Sequence, residues 1–114
     1  MILGYDNGAF AVKIAAVDGD RIAATKCIIG SEKTAGGLTA EFLEENHIPE
    51  ESIEAAAVTG VGAEKCNFDG FRCKIKLIPE IEATGEGGSW LSGFDEAVVV
   101  SIGTGTSLVL SRNG

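Results

Sequence analysis

Apolar and polar positions alternate along the first thirty residues, and this period of two predicts three consecutive strands: Ile2 to Asp6, Ala11 to Val17 and Arg21 to Ile29. Asn7-Gly8 and Asp18-Gly19 separate them as two hairpin turns, because both dipeptides favour the tight reversals that join antiparallel strands. From about Thr34 to Asn46 the period lengthens. Leu38, Phe42 and Leu43 then share one face of a helix whose other face carries Glu41, Glu44 and Glu45. Gly36-Gly37 weakens the start of this helix and Pro49 closes it. Ser52 to Val58 reads as a buried fourth strand, after which Gly60-Val61-Gly62 turns the chain into a short helix near Ala63 to Asn67. Arg72 to Ile78 alternates as a short strand before Pro79. A helix from Glu80 to about Leu91 follows, its interior softened by Gly85, Gly87 and Gly88 at roughly 1 kcal/mol each relative to alanine. Ala97 to Ile102 and Ser107 to Ser111 form a closing pair of strands.

This order predicts a mixed α/β sheet with flanking helices. Ile2 to Tyr5 should be internal, antiparallel to Ala11–Val17 and parallel to Ser52–Val58, while Val98–Ser101 opens a second sheet. The break near Asp95 divides the chain into a lobe over residues 1–95 and the start of another over residues 96–114.

Composition narrows the partners. A chain of 114 residues with 45% hydrophobic content can bury one modest core. Nine Lys and Arg against 17 Asp and Glu give a net charge of -8, which argues against attraction to nucleic acid or to an anionic membrane and leaves a small molecule or a protein. Cys27, Cys66 and Cys73 are too far apart for a CxxC pair, and His47 is the single histidine, so no zinc site is assembled. Three reduced thiols, the absence of a basic start before an apolar core at Met1, and no apolar run near 20 residues make the cytoplasm the expected compartment.

Candidate chemistry gathers at the strand ends. Gly103-Thr104-Gly105-Thr106-Ser107 follows a β-branched run and has no large side chain, so its backbone N–H groups and hydroxyls suit phosphoryl oxygens. A plain glycine-rich turn is the competing reading, and no Gly-Lys-Ser/Thr makes it a Walker A loop. Asp6-Asn7-Gly8 repeats the plan at the first hairpin, where Lys13 could reach a phosphate or simply be solvated. Glu80, just after Pro79, is the candidate general base, with Glu82 as an alternative acid on the same turn and ordinary helix-start preference as the bland account. Trp90 and Phe94 are expected in the core or at a lobe interface, and His47 on the surface.

At these residues the chain resembles type II pantothenate kinases, a branch of the actin-like kinase superfamily. That family has an Asp-x-Gly-Gly-Thr phosphate loop, a Thr-Gly-Gly turn after its fourth strand, a Glu-Phe-Asp-Ala motif with the catalytic glutamate, and an Asn-x-Gly-Thr-Gly-Thr-Ser segment. The counterparts here are Asp6-Asn7-Gly8-Ala9-Phe10, Thr59-Gly60-Val61, Glu80-Ile81-Glu82-Ala83 and Ser101-Ile102-Gly103-Thr104-Gly105-Thr106-Ser107. The resemblance implies the N-terminal lobe of an actin-like ATPase (ribonuclease H-like) fold plus the first hairpin of the second lobe. It also implies ATP and Mg2+ as cofactors and pantothenate as substrate, in coenzyme A biosynthesis. On this basis Asp6 places the metal and phosphates with Asn7 and Gly8, Lys13 lies near the first hairpin, Glu80 deprotonates the hydroxyl, and Gly103, Thr104, Gly105, Thr106 and Ser107 line the second phosphate region.

Two departures qualify the resemblance: Ala9-Phe10 replaces Gly-Thr, and the family's pantothenate-contacting arginine and most of its second lobe lie beyond Gly114. The expectations are that the isolated chain is a poor kinase and that an assembly of identical chains, or further sequence, covers the apolar face of residues 97–110. The alternatives are an ATPase activator of the same superfamily and a non-catalytic regulatory or interaction module.

Overall fold

The computed structural model describes residues 1–112. Its strands are β1 (Ile2–Asn7), β2 (Ala11–Asp18), β3 (Arg21–Ile29), β4 (Ala55–Thr59), β5 (Lys74–Leu77), β6 (Glu96–Ile102) and β7 (Thr106–Arg112), and its helices are α1 (Ala35–Glu45) and α2 (Glu80–Ser92). They fall into two compact units, Met1–Leu77 and a second from Ile78 onward.

The first unit holds a five-stranded sheet in the order β3-β2-β1-β4-β5. β1 is internal, antiparallel to β2 from Ile2↔Val17 to Asn7↔Val12 and parallel to β4 from Ile2↔Ala55 to Asp6↔Thr59, as the order of elements predicted. The parallel pairing requires a crossover, and α1 supplies it. Alternate residues of the central strands, Leu3, Tyr5, Ile14, Ala16, Ala56 and Val58, pack with Leu38, Phe42 and Leu43 of α1 into one core. Thr34 caps α1, its hydroxyl oxygen accepting the Gly37 N–H at 3.1 Å, which offsets the weakness of the glycine pair.

Three local expectations are corrected. The first reversal does not turn on Asn7-Gly8: Asn7 is still paired with Val12, the Gly8 N–H donates to the Ala11 carbonyl at 3.1 Å, and Ala9-Phe10 form the tip. Neither Asn7 nor Gly8 takes the positive φ that a type I′ turn requires. β4 starts at Ala55, because Glu50–Ser52 is spent in a 3-10 turn, and the short helix after Gly62 is a single 3-10 turn over Ala63–Lys65.

In the second unit β6 and β7 pair antiparallel from Glu96↔Arg112 to Ile102↔Thr106, and α2 packs on them. The contact explains two of the helix glycines. A Cβ on Gly88 would collide with the Val99 methyls and one on Gly85 would lie 3.1 Å from Val109 Cγ1. The buried Ser89 hydroxyl donates to the Ser111 hydroxyl at 2.7 Å across the same seam. Because α2 turns its small residues inward, Trp90 and Phe94 stand 47% and 66% exposed and are not core residues. Val98, Val100, Ile102, Leu108 and Leu110 are likewise exposed. Among the described residues no helix is long and apolar enough to cross a membrane.

Candidate functional site

Asp6 and Thr59 are register partners at the carboxyl ends of the parallel pair β1 and β4, where open α/β sheets receive ligands. The turn leaving β4 lies directly on the end of β1. Gly60 has φ +99°, and a Cβ there would sit 2.5 Å from the Asn7 carbonyl oxygen and 2.7 Å from Asp6 Oδ1, so only glycine fits. The Gly62 N–H donates to the Asn7 carbonyl at 3.2 Å and locks the turn in place. Thr59 Oγ1 is enclosed and has no hydrogen-bond partner among the described residues. Across the β1–β2 ladder the Lys13 ammonium lies 3.1 Å from Asp6 Oδ2, with side chains 61% and 34% exposed, so the pair is open to an incoming ligand.

Two cavities flank the first hairpin. One, of about 230 Å³, runs beneath its tip along Gly8, Phe10, Ile28 and Gly30. The other, of about 250 Å³, lies between Tyr5, the start of α1 and the Lys65–Asn67 segment, and the two share Asn7, Val12 and Ser31. Tyr5 stacks edge-on against Phe68 at 5.1 Å between ring centres. Burial, helped by the neighbouring Cys66, pushes the Tyr5 hydroxyl up to about 12, and burial also raises the Cys66 thiol. Both groups therefore stay protonated near neutrality, making Tyr5 a hydrogen-bond donor and Cys66 a poor nucleophile.

The remaining candidates belong to the second unit. Gly103-Thr104-Gly105 join β6 to β7, the Gly103 N–H donating to the Gly105 carbonyl at 2.8 Å. Among the described residues Gly105 has neither a positive φ nor any atom within 4 Å of a Cβ position, so their packing does not account for its bareness. Thr104, Thr106 and Ser107 are exposed. Glu80 opens α2 behind Pro79, which supplies no side-chain cap, and Glu80 and Glu82 are both exposed in the first turn.

The first unit thus brings Asp6, Asn7, Gly8 and Lys13 together, and the second contains Glu80 and the 103–107 loop. The enclosed Thr59 hydroxyl and the cavity beside Tyr5 were not anticipated as functional features. Thr34 ahead of the helical period marked one wall of that cavity, but Lys65 carried no comparable signal. Among the described residues no three His, Cys, Asp or Glu side chains cluster as metal ligands. Mg2+ at a nucleotide site takes one or two carboxylates and completes its shell with phosphate and water, so Asp6 meets the donor requirement.

No family profile and no curated protein matches the chain. Solved structures do. ROK hexokinase from Thermus thermophilus is 12% identical with a TM-score of 0.71, over 99% of this chain and 46% of that one. The (R)-2-hydroxyglutaryl-CoA dehydratase component A of Acidaminococcus fermentans is 21% identical with a TM-score of 0.67, over 94% of this chain and 46% of that one. A ROK family glucokinase from Streptomyces griseus, in complex with glucose and AMPPNP, is 16% identical with a TM-score of 0.62, over 98% and 44%. The chain therefore spans less than half the length of these structures. Its fold is that of the N-terminal lobe of the actin-like ATPases.

Proposed function

We propose that this chain forms one lobe of an ATP-dependent kinase, that the acceptor is pantothenate, and that the working form is a cytoplasmic assembly of identical chains. The observation that carries the kinase reading is the solvent-open Asp6–Lys13 pair, set at the carboxyl end of β1 beside a turn in which only Gly60 fits. The pantothenate assignment rests on the sequence motifs.

In this reading Asp6 holds Mg2+, which neutralises charge on the phosphate oxygens when bound with the nucleotide. Lys13 exchanges its carboxylate partner for a phosphoryl oxygen, a small change for an exposed pair whose mutual attraction is weak. Glu80 accepts the hydroxyl proton, and Gly103 to Ser107 offer N–H and O–H donors to the phosphates. Positioning and charge stabilisation of this kind are what phosphoryl transfer requires of a protein. The test is phosphate transfer from ATP by the complete gene product, with pantothenate, glucose and N-acetylglucosamine as competing acceptors. Transfer to pantothenate supports the proposal; transfer to a sugar alone replaces the acceptor and keeps the kinase.

Phe10 favours a second reading. It stands 66% exposed at the hairpin tip, where the pantothenate kinases carry Thr, and a ring there suits contact with another protein better than contact with phosphate. ATP hydrolysis with no acceptor, or no nucleotide binding at all, would favour the activator or the regulatory module respectively.

A further inference from the structure

The geometry points to a binding site for a small oxyanion, a carboxylate or phosphate group, in the cavity between Tyr5, the start of α1 and the Lys65–Asn67 segment. This inference concerns the Met1–Leu77 unit alone and stands whether or not the chain is a kinase. At about 250 Å³ the cavity has room for about eight water molecules at roughly 30 Å³ each, which suits a compact ligand.

Charge is the first argument. The chain carries 17 carboxylate side chains and 9 cationic ones, yet the cavity lining includes Lys33 and Lys65 and no acid. Lys33 is held by Glu41 at 2.6 Å, whereas Lys65 has no carboxylate partner among the described residues.

Hydrogen-bond direction is the second argument. Ser31 Oγ accepts the Lys33 N–H at 3.2 Å, Thr34 Oγ1 accepts the Gly37 N–H at 3.1 Å, and Asn67 Oδ1 accepts the Asp69 N–H at 2.7 Å. Each of these lining side chains has an acceptor already engaged by backbone, leaving its O–H or N–H to donate. Tyr5 adds a fourth donor: it is 3% exposed, lines the cavity, and its hydroxyl has no hydrogen-bond partner among the described residues. The Tyr5 hydroxyl is not among the enclosed polar atoms and so opens to the cavity, and a lining of donors is complementary to an acceptor-only group. The amides of α1 add little, because the Gly36 N–H already donates to the Asn67 carbonyl at 2.8 Å. Side chains, not the helix end, define the site.

The test is a titration of the 15N-labelled 114-residue chain, at fixed ionic strength, with inorganic phosphate, with glycerate and with glycerol. Saturable amide shifts at Ser31, Lys65 and Asn67 with phosphate or glycerate, and none with glycerol, are expected. The anion that saturates at lower concentration identifies the headgroup. Lys65→Gln and Tyr5→Phe should each weaken that binding about five- to tenfold, while Lys76→Gln, on β5 outside the cavity, should not. Tyr5→Phe keeps the ring that packs on Phe68, and Lys65 is exposed, so both variants retain the fold. Shifts that do not saturate, shifts centred elsewhere, or unchanged affinity in both variants would overturn the site.

Discussion

Lys13 and Asp6 face each other across the β1–β2 ladder as register partners, with Nζ 3.1 Å from Oδ2. In the proposed kinase the pair occupies the end of the strand where a nucleotide phosphate would arrive, and neither side chain is buried deeply enough for the contact to matter much to folding.

Stability and ligand binding should therefore separate at this pair. Asp6→Asn and Lys13→Met are each expected to change the unfolding free energy by less than about 1 kcal/mol, as for exposed ion pairs in general. In the complete gene product Asp6→Asn should weaken ATP–Mg2+ binding at least about tenfold, since it removes the charged donor to the metal. Urea denaturation and calorimetry on the same samples check both halves.

Glu80→Gln preserves shape and removes only the proton-accepting charge. Turnover of pantothenate by the complete protein should fall roughly 10²- to 10⁴-fold with nucleotide binding retained. Glu82→Gln, on the same exposed turn, is the control and should alter turnover only slightly. Equal losses would assign the effect to helix-start electrostatics.

The glycines of α2 should respond in opposite directions. Gly87 has no atom of the described residues within 4 Å of a Cβ position, so Gly87→Ala is expected to stabilise by about 0.5–1 kcal/mol through helix propensity alone. At Gly88 the added methyl meets Val99, and Gly88→Ala should destabilise by about 1–3 kcal/mol as an overpacked contact. Thermal melts of the two variants against the parent decide it.

Tyr5 gives a pH dependence with a definite sign. Its folded-state value of about 12 lies above the unfolded value near 10, so the folded chain holds the proton more tightly. The resulting stability is fully present below pH 10 and is lost as the pH rises toward 12, by roughly 2–3 kcal/mol. Denaturant midpoints of the parent and of Tyr5→Phe should converge or cross over that window, and parallel curves would contradict the assignment.

What the sequence made legible follows from the range of the forces involved. Alternation placed β3 at Arg21–Ile29 to the residue, and the three-to-four period placed α1 to within a residue of Ala35–Glu45, because both patterns arise from each element burying one face. Where a local preference met a tertiary contact, the contact prevailed. Asn7-Gly8 has the composition of a tight turn, yet Asn7 is retained in the ladder and its carbonyl receives the Gly62 N–H. Trp90 reads as core by size, but Gly88 and Ser89 take the inward face of α2. The donor-lined cavity was not legible because Tyr5, Lys33 and Lys65 come from three separated segments, and no local spacing records that the crossover brings them together.

The central position of β1 has a consequence for synthesis. Its parallel partner begins at Ala55, so the ribosome must add about fifty residues after Leu3 before that ladder can form. At about 5–20 residues per second this takes roughly 3–10 s. Throughout that interval Leu3 and Tyr5 lack Ala56 and Val58, and the strand destined for the middle of the sheet presents an unpaired edge to whatever chain is nearby.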